Sequence, residues 1–255
     1  MKNRDYSLRN KHESNALIEY LPRDSEQLEI PCALIDLTNI IDNETESLQS
    51  GLSDSLNNNP DITFITIKLA AKYPELLNYF IKMGAELIDT EIMYVHSGDE
   101  RLPCIQHDSF SFEFLDRIDS RLFVSLADEM LQSRFYKDRH ITYSMANKLW
   151  RESIKNHCEG FADELLVAFH KGDPCGLITL RIEEERNVYL HIIGVLRKWQ
   201  RRKIGSMMLQ KVLTRYSDHH KIFVETQSDN LASQMCYQAN GFVLYQHVHI
   251  IHLWR

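Results

Sequence analysis

Two stretches of this chain combine residue types at spacings that could do chemistry. In the first, the strand-like run Ile192, Ile193, Gly194, Val195 leads into Leu196, Arg197, Lys198, Trp199, Gln200, Arg201, Arg202 and Lys203, so that five of the seven residues from 197 to 203 are basic. Ile204, Gly205 and Ser206 then open an amphipathic helix with Ile204, Met208, Leu209 and Val212 on one face. The first-turn amides of a helix have no partners within it, and the helix dipole favours an anion there, so a phosphate suits this junction. Gly205 would let the backbone approach such a group closely, because no Cβ intervenes. The alternatives are a solvated charge run or a nucleic-acid patch. A strand in front and a glycine at the helix start favour a bound pyrophosphate.

The second stretch runs from Asn230 through Ser233, Gln234 and Tyr237 to Gly241 and Phe242. Asn230 is a helix-capping residue type, and Ser233, Gln234 and Tyr237 follow at i+3, i+4 and i+7, on its face of the helix. A tyrosine near a helix end, taken alone, reads as packing. Beside an anion-binding loop it becomes a candidate for proton transfer.

Other constellations carry less. His219-His220 and the alternating His247 and His249 invite a metal, but no carboxylate or cysteine lies at a usual ligand spacing, so no metal is expected. The five cysteines are scattered without a C-x-x-C pair, which reads as reduced thiols of the cytosol. Met1 to Glu13 is charged with no apolar run behind it. No segment approaches the roughly 18–20 apolar residues of a membrane span, so the expectation is a cytoplasmic protein without membrane insertion. With 44% hydrophobic and 25% charged residues the chain is not disordered, collagen-like or a coiled-coil rod. The net charge of −7 argues against indiscriminate binding to nucleic acid or anionic lipid. A length of 255 residues suggests two modest units.

The elements that must position these residues follow from pattern. Residues 42–60 are polar and read as a capped surface helix or a loop. Ile62 to Ile67 is a β-branched strand, Pro74 to Met83 a helix closed by Gly84, and Leu87 to Val95 a strand. Residues 97–110 read as the crossing between domains. Beyond them come a helix at Tyr143–His157 and strands at 165–169 and 175–182, joined by a turn at Gly172-Asp173-Pro174. After a charged turn at 183–187 there is a strand at Val188–Val195, a helix at Gly205–Arg215 and a strand at Ile222–Thr226. A helix at Leu231–Ala239 and a last strand at Val243–Leu253 complete the order. This is an α/β arrangement whose ligand should lie off the carboxyl end of a central strand. Residues 78–93 and 235–250 also echo one another at an offset of 157, both helix, glycine and strand, with Gly84/Gly241 and Leu87/Leu244 identical.

The order Gln200, Arg201, Arg202, Lys203, Ile204, Gly205 after a strand, then Asn230, Ser233, Tyr237, Gly241 and Phe242, resembles the GCN5-related N-acetyltransferases (GNAT) over about residues 118–255. Lys203 departs from the pattern, standing where a glycine is usual; its amide can still donate, with the side chain pointing outward. Ser133-Arg134-Phe135-Tyr136-Lys137-Asp138 and the closing Ile251-His252-Leu253-Trp254-Arg255 are similar to the dTDP-fucosamine acetyltransferase group of bacterial sugar-nucleotide enzymes.

The resemblance implies a tandem GNAT-like fold with a mixed central sheet. Its degenerate amino-terminal copy would be residues 1–115 and its catalytic domain 116–255. It implies acetyl-CoA as acyl donor, CoA as product and no metal. Ile193, Gly194 and Val195 would pair with the pantetheine arm, and the Val195 amide would bind the oxyanion. Gln200, Arg201, Arg202, Lys203, Ile204, Gly205 and Ser206 would hold the pyrophosphate, with Asn230, Ser233 and Tyr237 farther along. Tyr237 would be the general acid and His191 the base, with Glu225 the alternative. Tyr189, His191 and Ile193 are expected on one face of their strand, towards the acceptor. Arg134, Phe135, Tyr136 and Tyr189 would bind that acceptor, although Arg134 could instead cap the next helix. The acceptor implied is a small sugar nucleotide, a dTDP-linked 4-amino-4,6-dideoxyhexose used in surface glycan synthesis. Alternatives are acetylation of a protein, peptide or polyamine, or a non-catalytic CoA-binding module. A homodimer is compatible with each.

Overall fold

The computed structural model describes residues 17–40, 45–97, 109–183, 187–218 and 221–255. Met1–Glu13, most of the expected crossing at 97–110, the middle of the 183–187 turn, and His219 and His220 lie outside these. In chain order the elements are β1 Glu19–Tyr20, α1 Pro22–Leu28, β2 Cys32–Leu37, α2 Thr45–Asn57, β3 Phe64–Ala70, α3 Pro74–Lys82, β4 Glu86–His96 and β5 Phe110–Leu115. Short 3-10 turns at Ser120–Leu122 and Val124–Glu129 lead to α4 Arg134–Lys137 and α5 Tyr143–Asn156, which runs on into a π-helical turn at His157–Phe161. Then come β6 Glu164–His170, β7 Asp173–Ile182, β8 Val188–Val195, a 3-10 turn at Arg197–Trp199, α6 Ile204–Arg215, β9 Ile222–Gln227, α7 Leu231–Ala239 and β10 Val243–Trp254. The polar segment at 42–60 contains the helix α2. Strands β2 and β5 were not anticipated. The β6–β7 turn is made by Lys171 and Gly172, both at positive φ (51° and 89°), so the chain is already extended at Asp173 and Pro174.

The chain packs into two compact units, Met1–Thr90 with His247–Arg255, and Glu91–Gln246. This division differs from a boundary at residues 115/116. Glu91–His96 and Phe110–Leu115 pack with the second unit because the end of β4 pairs with β9 and β5 pairs with β6. The last nine residues pack with the first because β10 pairs with β3.

In the first unit β2 lies parallel to β3, and the His247–Trp254 part of β10 lies antiparallel to β3. Leu76 and Phe80 of α3 bury one face against Ile65, Ile67 and Leu69. In the second unit the strand order is β4-β9-β8-β7-β6-β5, mixed in direction. One face carries α6 and α7 over Ile178, Leu190 and Val224. The other carries α5 and the 3-10 turns over Leu165, Val167 and Leu177.

The internal echo extends to strand pairing. Glu91 faces Gln227 and His96 faces Ile222; 157 residues away, Val248 faces Ala70 and Leu253 faces Ile65. Gly84 and Gly241, at the same offset, both adopt positive φ (89° and 78°) after their helices. Each unit therefore takes its outer antiparallel strand from the other half of the sequence, in the same register.

Candidate active site

The site is organised by an irregularity in β8. Thr179 of β7 faces Ile192, but its neighbour Leu180 faces Leu190, so His191 is an extra, bulged residue. A bulge breaks the ladder locally and increases the strand's twist. The buried Thr179 hydroxyl makes good part of the loss by accepting from the Ile192 amide at 3.1 Å. Past the bulge, β8 and β9 part. They pair only at Val188–Ile222, Tyr189–Phe223 and Leu190–Val224, although β8 runs on to Val195 and β9 to Gln227. The corresponding strands of the first unit, β2 and β3, stay paired from Cys32–Phe64 to Leu37–Leu69.

The parting exposes a strand edge. The amides of Ile192 and Leu196 point towards β7, to Thr179 Oγ1 and the Cys175 carbonyl. Main-chain groups of successive strand residues alternate in direction, so those of Ile193 and Val195 point away from β7 into the gap. The Val195 carbonyl there accepts from Gln200 Nε2 at 3.1 Å, and the same amide group reaches Glu129 Oε2 at 3.3 Å. A Cβ on Gly194 would lie 2.7 Å from Leu126 Cδ1, so any larger residue there would push that buried side chain aside. Immediately after Val195, Leu196, Arg197 and Lys198 line a cavity of about 370 Å³ with Leu126, Asp128 and Glu129.

The basic loop then turns into α6 through two non-glycine residues at positive φ, Arg201 (64°) and Lys203 (60°). Such backbone is uncommon outside glycine and is typically held at functional sites. Lys203 is the residue before the first helical turn, which explains why glycine is usual at this position. Arg202 is 5.1 Å from the Trp199 ring centroid. Ile204 is core, whereas a Cβ on Gly205 would meet only Cys236 Sγ, at 3.9 Å. Ser206 Oγ lies 3.5 Å from the same sulfur. Space above a bare glycine, helix amides and flanking cations suit a pyrophosphate. The open β8 edge suits an amide-bearing arm. The residues present therefore fit an acyl-CoA.

On α7, Asn230 caps the helix by accepting from the Ser233 amide at 3.2 Å. Tyr237 is buried, in edge-to-face contact with Tyr94 of β4 at 5.8 Å. Tyr94 is itself held by Gln234 and Gln238, each at 3.3 Å. Burial pushes the Tyr237 phenol well above its ordinary value, and a hydrogen bond with Ser233 opposes this.

On the acceptor side the bulge overturns one expectation. Ile193 packs with the α6/α7 core, on the opposite face from Tyr189, which stacks on Phe223 at 4.9 Å and 15°. A single inserted residue exchanges the faces of all that follow. His191, at the bulge, is exposed and 5.9 Å from the His157 ring. Glu225 is exposed on β9, opposite Met93. Ser133, not Arg134, caps α4. Arg134 instead lies over the Phe135 ring at 4.4 Å and pairs with Glu91 at 3.7 Å. Tyr136 turns inward, donating to the Ala127 carbonyl at 3.3 Å. Sequence reasoning missed Thr179, Tyr94, Glu91 and the side-chain role of Gln200. Thr179 alone left a signal, as a polar residue inside an apolar run.

The sequence model of the "Acetyltransferase (GNAT) family" matches residues 126–242. A curated relative, "Spore coat polysaccharide biosynthesis protein SpsD" of Bacillus subtilis (strain 168), is 24% identical over 129 residues, which is 50% of this chain and 44% of the relative. The match thus spans less than half of that protein's length. Among solved structures, a functionally unknown conserved protein from Staphylococcus epidermidis superposes with a TM-score of 0.61 at 16% identity, covering 98% of this chain and 96% of that one. A tandem GNAT protein from the clavulanic acid biosynthesis pathway gives 0.55 at 14% identity, covering 88% and 75%. The likeness in fold therefore takes in both units. With the parted strands, the basic loop at the start of α6 and the matching family model all in one segment, residues 126–242 are an N-acetyltransferase domain of the GNAT family.

Proposed function

We propose that the chain transfers acetyl from acetyl-CoA to the 4-amino group of a dTDP-linked 4-amino-4,6-dideoxyhexose, for surface glycan synthesis. The observation that carries the transfer reaction is the parting of β8 from β9 after Leu190, which turns the main-chain groups of Ile193 and Val195 into an open edge. The name of the Bacillus subtilis relative, a spore coat polysaccharide biosynthesis protein, supports a sugar acceptor.

Acetyl-CoA supplies the activated acetyl thioester. The Val195 amide donates to its carbonyl oxygen from the open edge, where a fixed donor is worth most as negative charge develops. The first-turn amides of α6 and the backbone of Arg201–Ser206 hold the pyrophosphate. Tyr237 is protonated at physiological pH, as an ordinary phenol is, and gives its proton to the departing thiolate, a step that burial opposes by raising the pKa and the Ser233 hydrogen bond favours by lowering it. His191, solvent-accessible at the bulge, takes the proton of the acceptor amine directly or through water, with Glu225 the alternative. The first unit, whose β2 and β3 do not part, performs no transfer. The proposed place of the reaction is the cytoplasm.

A second reading rests on Glu225, whose exposed carboxylate on β9 would suit a polyamine or peptide amine. Thiol release from acetyl-CoA, measured against dTDP-amino sugars, polyamines and peptides, separates the two. Turnover with dTDP-amino sugars is expected; turnover with peptides or polyamines alone would overturn the leading reading.

A further inference from the structure

We propose that Glu91, a residue of the amino-terminal half, is a positioning residue of the acceptor site that acts through Arg134. The inference rests on the sugar-nucleotide reading above and adds to it the part played by β4. Glu91 stands opposite Gln227, the last residue of β9, and therefore at the carboxyl end of the parallel pair, beyond the point where β8 and β9 part. Ligands of α/β sheets gather at that end. Short helix α4 is held over the same end by two ion pairs, Lys137 with Asp229 at 3.0 Å and Arg134 with Glu91 at 3.7 Å.

The second pair is enclosed, with side-chain exposures of 19% for Arg134 and 9% for Glu91. At 3.7 Å the carboxylate balances the guanidinium charge without closing a hydrogen bond to Nη1. Phe135 lies against the guanidinium plane, and Arg134 Nε is buried with no hydrogen-bond partner. A guanidinium held by Phe135 and charge-balanced by Glu91, with part of its side chain still exposed, is a group suited to a bidentate oxyanion such as a diphosphate. Removing the Glu91 charge would let Arg134 shift, and loss of an aligned charge-assisted hydrogen bond of about 1.5–3 kcal/mol weakens acceptor binding by roughly 10- to 100-fold. The amino-terminal half would then serve the reaction while holding no reacting group.

The test is steady-state kinetics of the full chain with a dTDP-amino sugar, together with inhibition by dTDP. Glu91→Gln is expected to raise the acceptor KM at least about tenfold and to weaken dTDP inhibition in parallel, with kcat and the KM for acetyl-CoA within about twofold. In an Arg134→Gln background it should add nothing, because it acts through that side chain. An unchanged acceptor KM, a fall in kcat alone, or effects that multiply in the double variant would overturn the proposal while leaving the acceptor reading intact. No turnover of dTDP-amino sugars by the wild type would overturn both. If Glu91→Gln does not fold, Glu91→Asp keeps the charge but shortens the reach; a wild-type acceptor KM in that variant would also overturn the proposal.

Discussion

Glu91 and Gln227 face each other on antiparallel strands of the second unit, although 135 residues separate them in the chain. The pair means that β9 is covered on one side by a strand encoded before the catalytic segment. A fragment comprising residues 116–255 would lose β4 and β5, leaving β9 with a bare edge and the 247–254 strand without β3. Unpaired edges of this kind promote aggregation. The fragment is expected to be insoluble or to lack a cooperative melt, and to bind acetyl-CoA poorly. A soluble fragment with wild-type acetyl-CoA affinity would contradict this.

Thr179→Val tests the bulge. The substitution keeps the volume but leaves the Ile192 amide without its acceptor, at a cost of about 1–3 kcal/mol. A lower denaturant midpoint and a raised KM for acetyl-CoA are expected together, because one bond supports both the fold and the opening. A stability loss with unchanged KM would separate the bulge from the cofactor site.

Lys203→Gly replaces a left-handed lysine with the residue best suited to φ 60°. Relief of roughly 1–2 kcal/mol of backbone strain is offset by glycine's entropy of about 0.5–1 kcal/mol, so stability should rise by no more than about 1.5 kcal/mol. The KM for acetyl-CoA should stay within a fewfold, since the amide donor is retained. Lys203→Val, β-branched at positive φ, should be clearly destabilised. A tenfold loss of acetyl-CoA affinity in the glycine variant would mean that the side chain itself binds the cofactor.

Tyr237→Phe removes the phenol without disturbing its packing on Tyr94. If Tyr237 is the acid, kcat falls by about 10²–10⁴ with little change in the KM for acetyl-CoA. Undiminished turnover would assign the proton to another group.

Alkaline pH should destabilise the fold through its buried thiols. Burial pushes Cys32 and Cys158 up to about 12 and Cys175 up to about 11, from 9.0. Between 9 and these values the unfolded chain loses thiol protons that the folded chain keeps. The contribution is therefore complete below pH 9 and is lost as pH rises towards 11–12. Thermal melts should show Tm falling above pH 9, and alanine at the three sites should flatten that part of the profile. Native thiols at these positions should also react slowly with a disulfide reagent at pH 8, because the thiolate is the reactive form.

The sequence alone determined the local elements. The Val188–Val195 strand and the Leu231–Ala239 helix have the bounds their patterns predict, and the apolar face of α6 buries Ile204, Met208, Leu209 and Val212 as spaced. These features follow from side-chain periodicity and caps, which act over a few residues. The basic loop between β8 and α6 was legible for the same reason, since a strand, a basic loop and a glycine at a helix start are contiguous. The face on which Ile193 lies was not legible, because a bulge is a decision about register between two strands, and the pattern of one strand does not contain it. Nor was the Glu91–Arg134 pair, whose partners are 43 residues apart and meet only because β4 pairs with β9. The 157-residue echo suggested two copies of one fold. Only the tertiary structure decided that each copy takes its outer strand from the other half of the chain, because identical registers in the two units can be satisfied by either strand, and long-range pairing chooses between them.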